Sequence, residues 1–231
     1  MPSQTFILTL VRHGETDDNV NRIIQGQKDT PLNDNGRDQA RQLGGFFLKQ
    51  DQKFDLVFAS DLKRTRETAS LALGPICVDF TLEKRIRERN FGVLEGLPFG
   101  ALQDAAAKEN ISTAIYKPEN GESNIDMRER AADYFKDLCD LVFNDPAEPE
   151  QVALFTHGGW MRELCIHLIS NHGCALKGTK GQCATQVSPN TGVTSLLVKR
   201  CGSGKIQAEL LKWHDISHLD PDQPVIKSLG I

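Results

Sequence analysis

Short, unbroken apolar runs alternate along this chain with longer stretches in which apolar residues recur every three or four positions. Leu8-Thr9-Leu10-Val11 is aliphatic and β-branched and ends abruptly on Arg12-His13-Gly14. Such a run, closed by a glycine, predicts a buried strand. Phe54 to Ala59, Ile76 to Phe80 and Val152 to Thr156 read as further strands, the last ending on His157-Gly158-Gly159. Helical spacing governs the segments between them. Asn33 is placed to cap a helix with Ala40, Leu43 and Phe47 on its apolar face, and Gly44-Gly45 in its middle suggest close packing. Ser60-Asp61 reads as the cap of a helix that turns Leu62, Ala69 and Leu73 inward. Pro98 to Asn110 and Asn124 to Phe143 also read as helices. The second is capped by Gly121-Glu122-Ser123 and carries Ala131, Phe135, Leu138 and Val142 along one face. After His157, Met161, Leu164, Cys165, Leu168 and Ile169 follow an i, i+3, i+4 pattern. Thr194 to Arg200 and Ile206 to Trp213 form a hairpin across Gly202-Ser203-Gly204, a turn and not a dinucleotide fingerprint.

This order predicts an α/β fold, a three-layer αβα sandwich. Helices cover both faces of a mainly parallel sheet, and the late hairpin supplies an antiparallel edge strand. With 231 residues and no linker, repeat or low-complexity run, residues 1–231 are expected to form one domain.

Charge narrows the function. The formal net charge is −4 and the pI about 5.9, without a basic stripe, so nucleic-acid and membrane surfaces are not expected partners. An anionic small molecule would have to be drawn by a local cluster of Arg and Lys. The start of the chain carries no charged-then-apolar signal, and no apolar run approaches spanning length. Six cysteines lie scattered without a Cys-x-x-Cys pair, the usage of reduced thiols in a cytoplasmic protein.

Ligands of open α/β sheets bind at the carboxyl ends of the strands. By itself Arg12-His13-Gly14 is equally an anion site and an incidental strand end; Gly14 would permit the turn that lets both side chains share a ligand. The second placement of His-Gly after a strand, at His157-Gly158, decides for a site. Asp17 to Pro31, with Asn19, Arg22, Gln25, Gly26 and Lys28, is a polar loop placed to help line it. Lys63, Arg64 and Arg66 stand in the first turn of a helix, where cations are out of place unless an anion joins them. Lys63 and Arg66 suit a solvated surface, while at least one arginine should point inward. Glu88, the one acid among Arg85, Arg87 and Arg89, is either a surface ion-pair partner or a general acid held near phosphate. Two histidines, two arginines and one glutamate suit phosphoryl transfer. Arg12 and Arg64 would grip the equatorial oxygens. The guanidinium groups would keep His13 neutral and nucleophilic. His157, if protonated against the phosphate, would act as a further oxyanion clamp, and Glu88 would protonate the leaving alkoxide and then activate water. No step calls for a metal or other cofactor. His214 and His218 lie four apart without further ligands and read as surface histidines.

Val11-Arg12-His13-Gly14-Glu15-Thr16, followed by Asn19, Gly26, Pro31-Leu32, Gly36 and Gln39-Ala40, resembles the first motif of the histidine phosphatase (phosphoglycerate mutase-like) superfamily. Ser60 to Thr68, Glu88 to Gly92 and Thr156-His157-Gly158 resemble its later motifs, in the same order. The resemblance implies His13 as phosphohistidine nucleophile, a phosphate pocket of Arg12, Arg64 and His157, and Glu88 as proton donor. It implies Asn19, Gln25, Gly26 and Gly158 as substrate contacts. Within the superfamily the likeness extends to TIGAR-type fructose-2,6-bisphosphatases, through Ile24-Gln25-Gly26-Gln27, Leu82 to Gly96, Gly121-Glu122-Ser123 and Pro189-Asn190-Thr191-Gly192. By that likeness Lys117 is the expected contact for a second phosphate. Leu97-Pro98-Phe99 stands where mutases carry a lysine, and no Arg-Arg pair occurs, which weakens a mutase reading. Only Asn144 to Gln151 fills the place of the long insert that animal TIGAR proteins usually carry. The expected activity is metal-independent hydrolysis of phosphorylated sugars, fructose 2,6-bisphosphate first. The rivals are a phosphoglycerate mutase or 2,3-bisphosphoglycerate phosphatase, a broad phosphomonoesterase, and a degenerate phosphatase domain that only binds. The 101–118 segment is a candidate lid.

Overall fold

The computed structural model describes residues 4–76, 78–172, 186–202 and 204–221. Six strands form one sheet: β1 (Gln4–Arg12), β2 (Leu56–Ala59), β3 (Thr81–Leu82), β4 (Gln151–Thr156), β5 (Val193–Arg200) and β6 (Ile206–Asp215), in the order β3-β2-β4-β1-β5-β6. The β1–β4, β2–β4 and β2–β3 pairs are parallel, while β5 and β6 add antiparallel at one side. The apolar runs of β1 and β4 are unbroken because both faces are covered. Leu8, Leu10, Val152 and Leu154 pack with α5 (Asn124–Asn144) and α6 (Gly158–Asn171). Val11, Ala153 and Phe155 pack with α2 (Asp34–Lys49) and α3 (Lys63–Leu73) on the opposite face. Full burial of each such Leu or Phe stabilises by roughly 1.5–3 kcal/mol. Two short helices, α1 (Asp17–Val20) and α4 (Gly100–Lys108), belong to the segments beyond the strand ends.

The cap at Asn33 forms, its side chain accepting from the Gly36 N–H, and Ser123 forms a reciprocal capping box with Asp126. Elsewhere the chain departs from the expected pattern. The strand expected at Ile76 to Phe80 does not form at its described residues: Gly74–Ile76 is a 3-10 turn, and Val78 and Phe80 pack against the apolar layer without pairing, while Cys77 lies outside the described residues. The strand that pairs with β2 is only Thr81–Leu82. Phe54 is buried but precedes β2. Gly44 does lie against α3, where a Cβ would come within 3.0 Å of the Leu71 and Ala72 carbonyl oxygens, whereas Gly45 touches nothing. Ser60-Asp61 does not cap α3, whose first residue follows Leu62 with no side-chain bond. Asp61 is drawn instead into an ion pair with Arg87, and Ser60 to a histidine. Among the described residues no helix is long and apolar enough to cross a membrane. Of the six cysteines, Cys77, Cys174 and Cys183 lie outside the described residues.

Candidate active site

At the carboxyl ends of β1 and β4 the two chain segments are tied together by the His13 N–H, which donates to the Thr156 carbonyl at 3.0 Å. Arg12, His13 and His157 meet there. The His13 and His157 ring centroids lie 5.2 Å apart. Gly14 earns its place by packing: a Cβ would lie 2.5 Å from the Gly36 carbonyl oxygen at the start of α2. Its N–H donates to Thr68 Oγ1 at 2.9 Å, a brace from α3.

His13 Nδ1 bonds the Gly14 carbonyl at 2.7 Å, which fixes the proton on Nδ1 and leaves the lone pair on Nε2. Burial holds this imidazole well below the ordinary histidine range, and repulsion from Arg64 and then Arg12 adds to it. Neutrality was expected from the arginines; the larger cause is desolvation. His157 is likewise pushed down, first by burial and then by Arg64. Its Nε2 meets Ser60 Oγ at 2.9 Å and Thr65 Oγ1 at 3.2 Å, and its buried Nδ1 has no partner among the described residues. His157 is therefore held neutral in this state, and the protonation that would make it a clamp requires an anion beside it.

Both inward arginines are held by main-chain oxygens. Arg12 donates to the Ser188 carbonyl at 2.6 Å, and Arg64 to the carbonyls of Gly26 at 2.7 Å and Lys28 at 2.8 Å. Burial lowers each to about 10 against the attraction of Glu88, so both remain cationic at neutral pH. Lys63 pairs with Asp29 at the surface, as its solvated reading expected. Glu88 is no surface ion-pair partner. Its carboxylate accepts from the N–H of Gly159 at 3.0 Å and of Arg89 at 2.9 Å, at the N-terminal turn of α6. Gly159 allows this approach, since a Cβ there would lie 2.3 Å from Glu88 Oε1. The arginines around Glu88 face elsewhere: Arg85 to Glu83 and Asp137, Arg87 to Asp61, Arg89 into the protein. Arg130 fixes this segment by donating to the carbonyls of Arg85, Arg87 and Glu88 while paired with Glu122.

Arg12, His13, Arg64 and Glu88 line one cavity of about 150 Å³, together with Asn19, Gln25 and Gly26 from the loop after β1. Asn19 Oδ1 accepts from the Thr16 N–H and from Asn190 Nδ2, and Gln25 Oε1 accepts from Thr30 Oγ1. Gly26 has φ +53°, and a Cβ on it would strike Glu95. Gly158 sits behind the cavity, its Cα 's missing Cβ leaving room for Val187 and Arg12. Lys117 is not brought into the site. Its ammonium lies 3.1 Å from Asp126, the carboxylate of the α5 cap, on a largely exposed side chain. His214 and His218 are not simple surface histidines either: His214 stacks on Trp213 at 3.9 Å, and His218 Nε2 meets Thr191 Oγ1 at 3.0 Å. Residues not foreseen are Ser60, Thr65 and Thr68, which brace the histidine centre, and Asn190, whose Nδ2 donates to the His13 carbonyl at 3.1 Å. A signal existed for the threonines: polar residues at 65 and 68 interrupt a helix face that reads Leu62, Ala69, Leu73. Ala101 to Pro118 contributes to a small separate core of Ile24, Phe91, Leu94 and Leu102, joined by Phe99, Ala105 and Tyr116.

Residues 8–204 match the histidine phosphatase superfamily (branch 1). The fructose-2,6-bisphosphatase TIGAR of Bos taurus is 32% identical over 252 residues, covering 88% of this chain and 93% of that protein. A broad-specificity phosphatase of Saccharomyces cerevisiae is 34% identical over 164 residues, 67% of this chain and 66% of its own. Among solved structures, a mycobacterial glucosyl-3-phosphoglycerate phosphatase complexed with VO3 superposes with TM-score 0.71 at 27% identity, over 90% of this chain and 98% of its own. A phosphoglycerate mutase from Bacillus anthracis shares the fold at TM-score 0.75 and 21% identity, over 94% and 96%.

Proposed function

Because the chain belongs to the histidine phosphatase superfamily and is a phosphoric monoester hydrolase, we propose that it removes phosphate from a phosphorylated sugar through His13, with the 2-phosphate of fructose 2,6-bisphosphate as substrate. The observation that carries the chemistry is His13 itself. A neutral, buried imidazole whose Nδ1 proton is committed to the Gly14 carbonyl directs the Nε2 lone pair outward as a nucleophile. Arg12 and Arg64 hold the phosphoryl oxygens and offset their charge as the P–O bond to the leaving group breaks. His13 Nε2 bonds to phosphorus, and Glu88 gives a proton to the departing alkoxide. Glu88, now a carboxylate, takes a proton from water; the water oxygen bonds to phosphorus, the N–P bond breaks and inorganic phosphate leaves with His13 restored. His157 gains its proton only beside the bound anion and adds to the clamp.

The sugar assignment is supported by the TIGAR relative, which is 32% identical over 88% of this chain. Broad action on phosphomonoesters is the second reading, favoured by the yeast relative and by the apolar wall of Ile23, Ile24, Phe91 and Phe99. Cytoplasmic placement is proposed from the cysteines, of which Cys139 and Cys201 form no disulfide. The test is phosphate release, with chelator present, from fructose 2,6-bisphosphate, fructose 1,6-bisphosphate, 2,3-bisphosphoglycerate, the monophosphoglycerates and nitrophenyl phosphate, each repeated with His13→Ala. Preference for fructose 2,6-bisphosphate, lost by at least about 10⁴-fold in the variant, is the expected result. Flat turnover leaves the broad reading, isomerised phosphoglycerate points to a mutase, and turnover that survives His13→Ala overturns the mechanism.

A further inference from the structure

Among the described residues three cationic side chains line the cavity, and they are held in opposite ways. Arg12 and Arg64 are buried and bound to main-chain carbonyls. Arg22 is exposed at the wall, and among the described residues no hydrogen bond or ion pair holds its guanidinium. Its backbone, by contrast, is fixed. The Phe99 N–H donates to the Arg22 carbonyl at 2.9 Å, Ile23 bridges Pro98, and the Ile24 N–H donates to the Leu97 carbonyl at 2.9 Å. Arg22 sits there with φ +56°, a left-handed conformation that suits Gly or Asn and costs an arginine on the order of 1 kcal/mol. A strained residue kept at a rigid position beside a cavity, with a side chain that serves no partner in the protein, calls for a partner in the ligand. Among the described residues two carboxylates line the cavity: Glu88 accepts from the N–H groups of Gly159 and Arg89, and Asp18 has its oxygen 3.7 Å from the Lys28 ammonium, which offsets its repulsion of an anion.

We propose that Arg22 is a specificity-determining residue that binds a second anionic group of the substrate, a phosphate or a carboxylate on the leaving-group side. The inference rests on the phosphatase reading above and moves the second-anion contact from Lys117, which is tied to Asp126 outside the cavity, to Arg22 on its lining. Ile23 and Phe99, flanking Arg22 and its bonded partner, would cover the carbon skeleton between the two anions.

The experiment compares kcat/KM for fructose 2,6-bisphosphate, 3-phosphoglycerate and nitrophenyl phosphate in the wild type, Arg22→Gly and Arg22→Lys. Glycine relieves the left-handed strain while removing the charge, so the melting temperature should hold or rise and lost activity cannot be ascribed to unfolding. For at least one of the two doubly anionic esters, the ratio to nitrophenyl phosphate should fall about tenfold in Arg22→Gly, equal to about 1.4 kcal/mol, chiefly through KM. Arg22→Lys should recover part of it. The bisphosphate arm identifies a phosphate as the second anion, and the glycerate arm a carboxylate. An unchanged ratio, or a wild type that acts on nitrophenyl phosphate alone, overturns this inference and leaves the phosphatase reading intact. A wild type that hydrolyses none of the three overturns both.

Discussion

The floor of the cavity and its wall are built by opposite means. The floor stands on the ends of β1 and β4 and the first turns of α3 and α6, where Arg12, His13, Arg64 and His157 are almost wholly buried. Main-chain carbonyls or hydroxyls hold each of them. The wall is loop, 3-10 turns and the nine-residue α4, around a small apolar cluster of its own. One side chain knits much of it together. Buried Arg89 donates to the carbonyls of Thr113, Tyr116 and Glu122 and to Asn124 Oδ1, with its guanidinium 4.7 Å from the Phe91 ring centre. Preorganised dipoles on rigid elements suit chemistry that is the same for every ester. A loosely built wall suits the part that differs between substrates, because loops change without disturbing the sheet.

The sharpest way to break the floor is to move Glu88 without altering it. In Gly159→Ala the new Cβ would lie 2.3 Å from Glu88 Oε1, the far end of a flexible side chain, so the carboxylate swings away while alanine suits α6. Turnover should fall about 10³-fold, the scale of lost acid–base help, with thermal stability unchanged. Full activity would remove Glu88 from the mechanism. Breaking the wall should leave the floor standing. Arg89→Met strands several carbonyls without a donor and should cost on the order of 3 kcal/mol. The loss should be local: hydrogen exchange should accelerate across residues 113–122 while the amides of β1 and β4 keep their protection. Uniform acceleration would mean that floor and wall unfold as one unit.

This division also decided what was legible in the sequence. The floor was readable because its reactive residues follow strands directly, and strand-then-His-Gly occurs twice. The buried helix faces were readable for the same reason, since periodicity reports burial. Partners across space were not. Lys117 looked like a phosphate contact because its sequence neighbourhood does not reveal Asp126, which the α5 cap turns toward it. Ser60 had the chemistry of a cap, yet its hydroxyl is taken by His157. Ile76 to Phe80 has strand composition, but side-chain burial alone holds Val78 and Phe80 in place. Asn190 belongs to the site through a long-range contact with the His13 carbonyl that no local pattern signals.

A smaller effect tests whether the floor is neutral as a whole. Burial lowers the affinity of His13 and His157 for protons in the folded protein, whereas in the unfolded chain both titrate near the ordinary 6.5. Above that value neither state binds the proton and stability is complete. As pH falls below 6.5 the unfolded chain gains protons that the native state refuses, so stability declines toward the folded values. Each histidine should contribute about 1 kcal/mol of this decline between pH 7 and 5.5. Urea unfolding without phosphate should therefore show a slope that is shallower in His13→Asn than in the wild type by that amount. The contribution of His218, lowered to about 4 and bound to Thr191 outside the cavity, should persist in the variant. Identical slopes would mean that His13 already carries its proton in the folded protein. The arginines would then be facing an imidazolium, and the nucleophile would have to be generated by the substrate's arrival instead of being held ready.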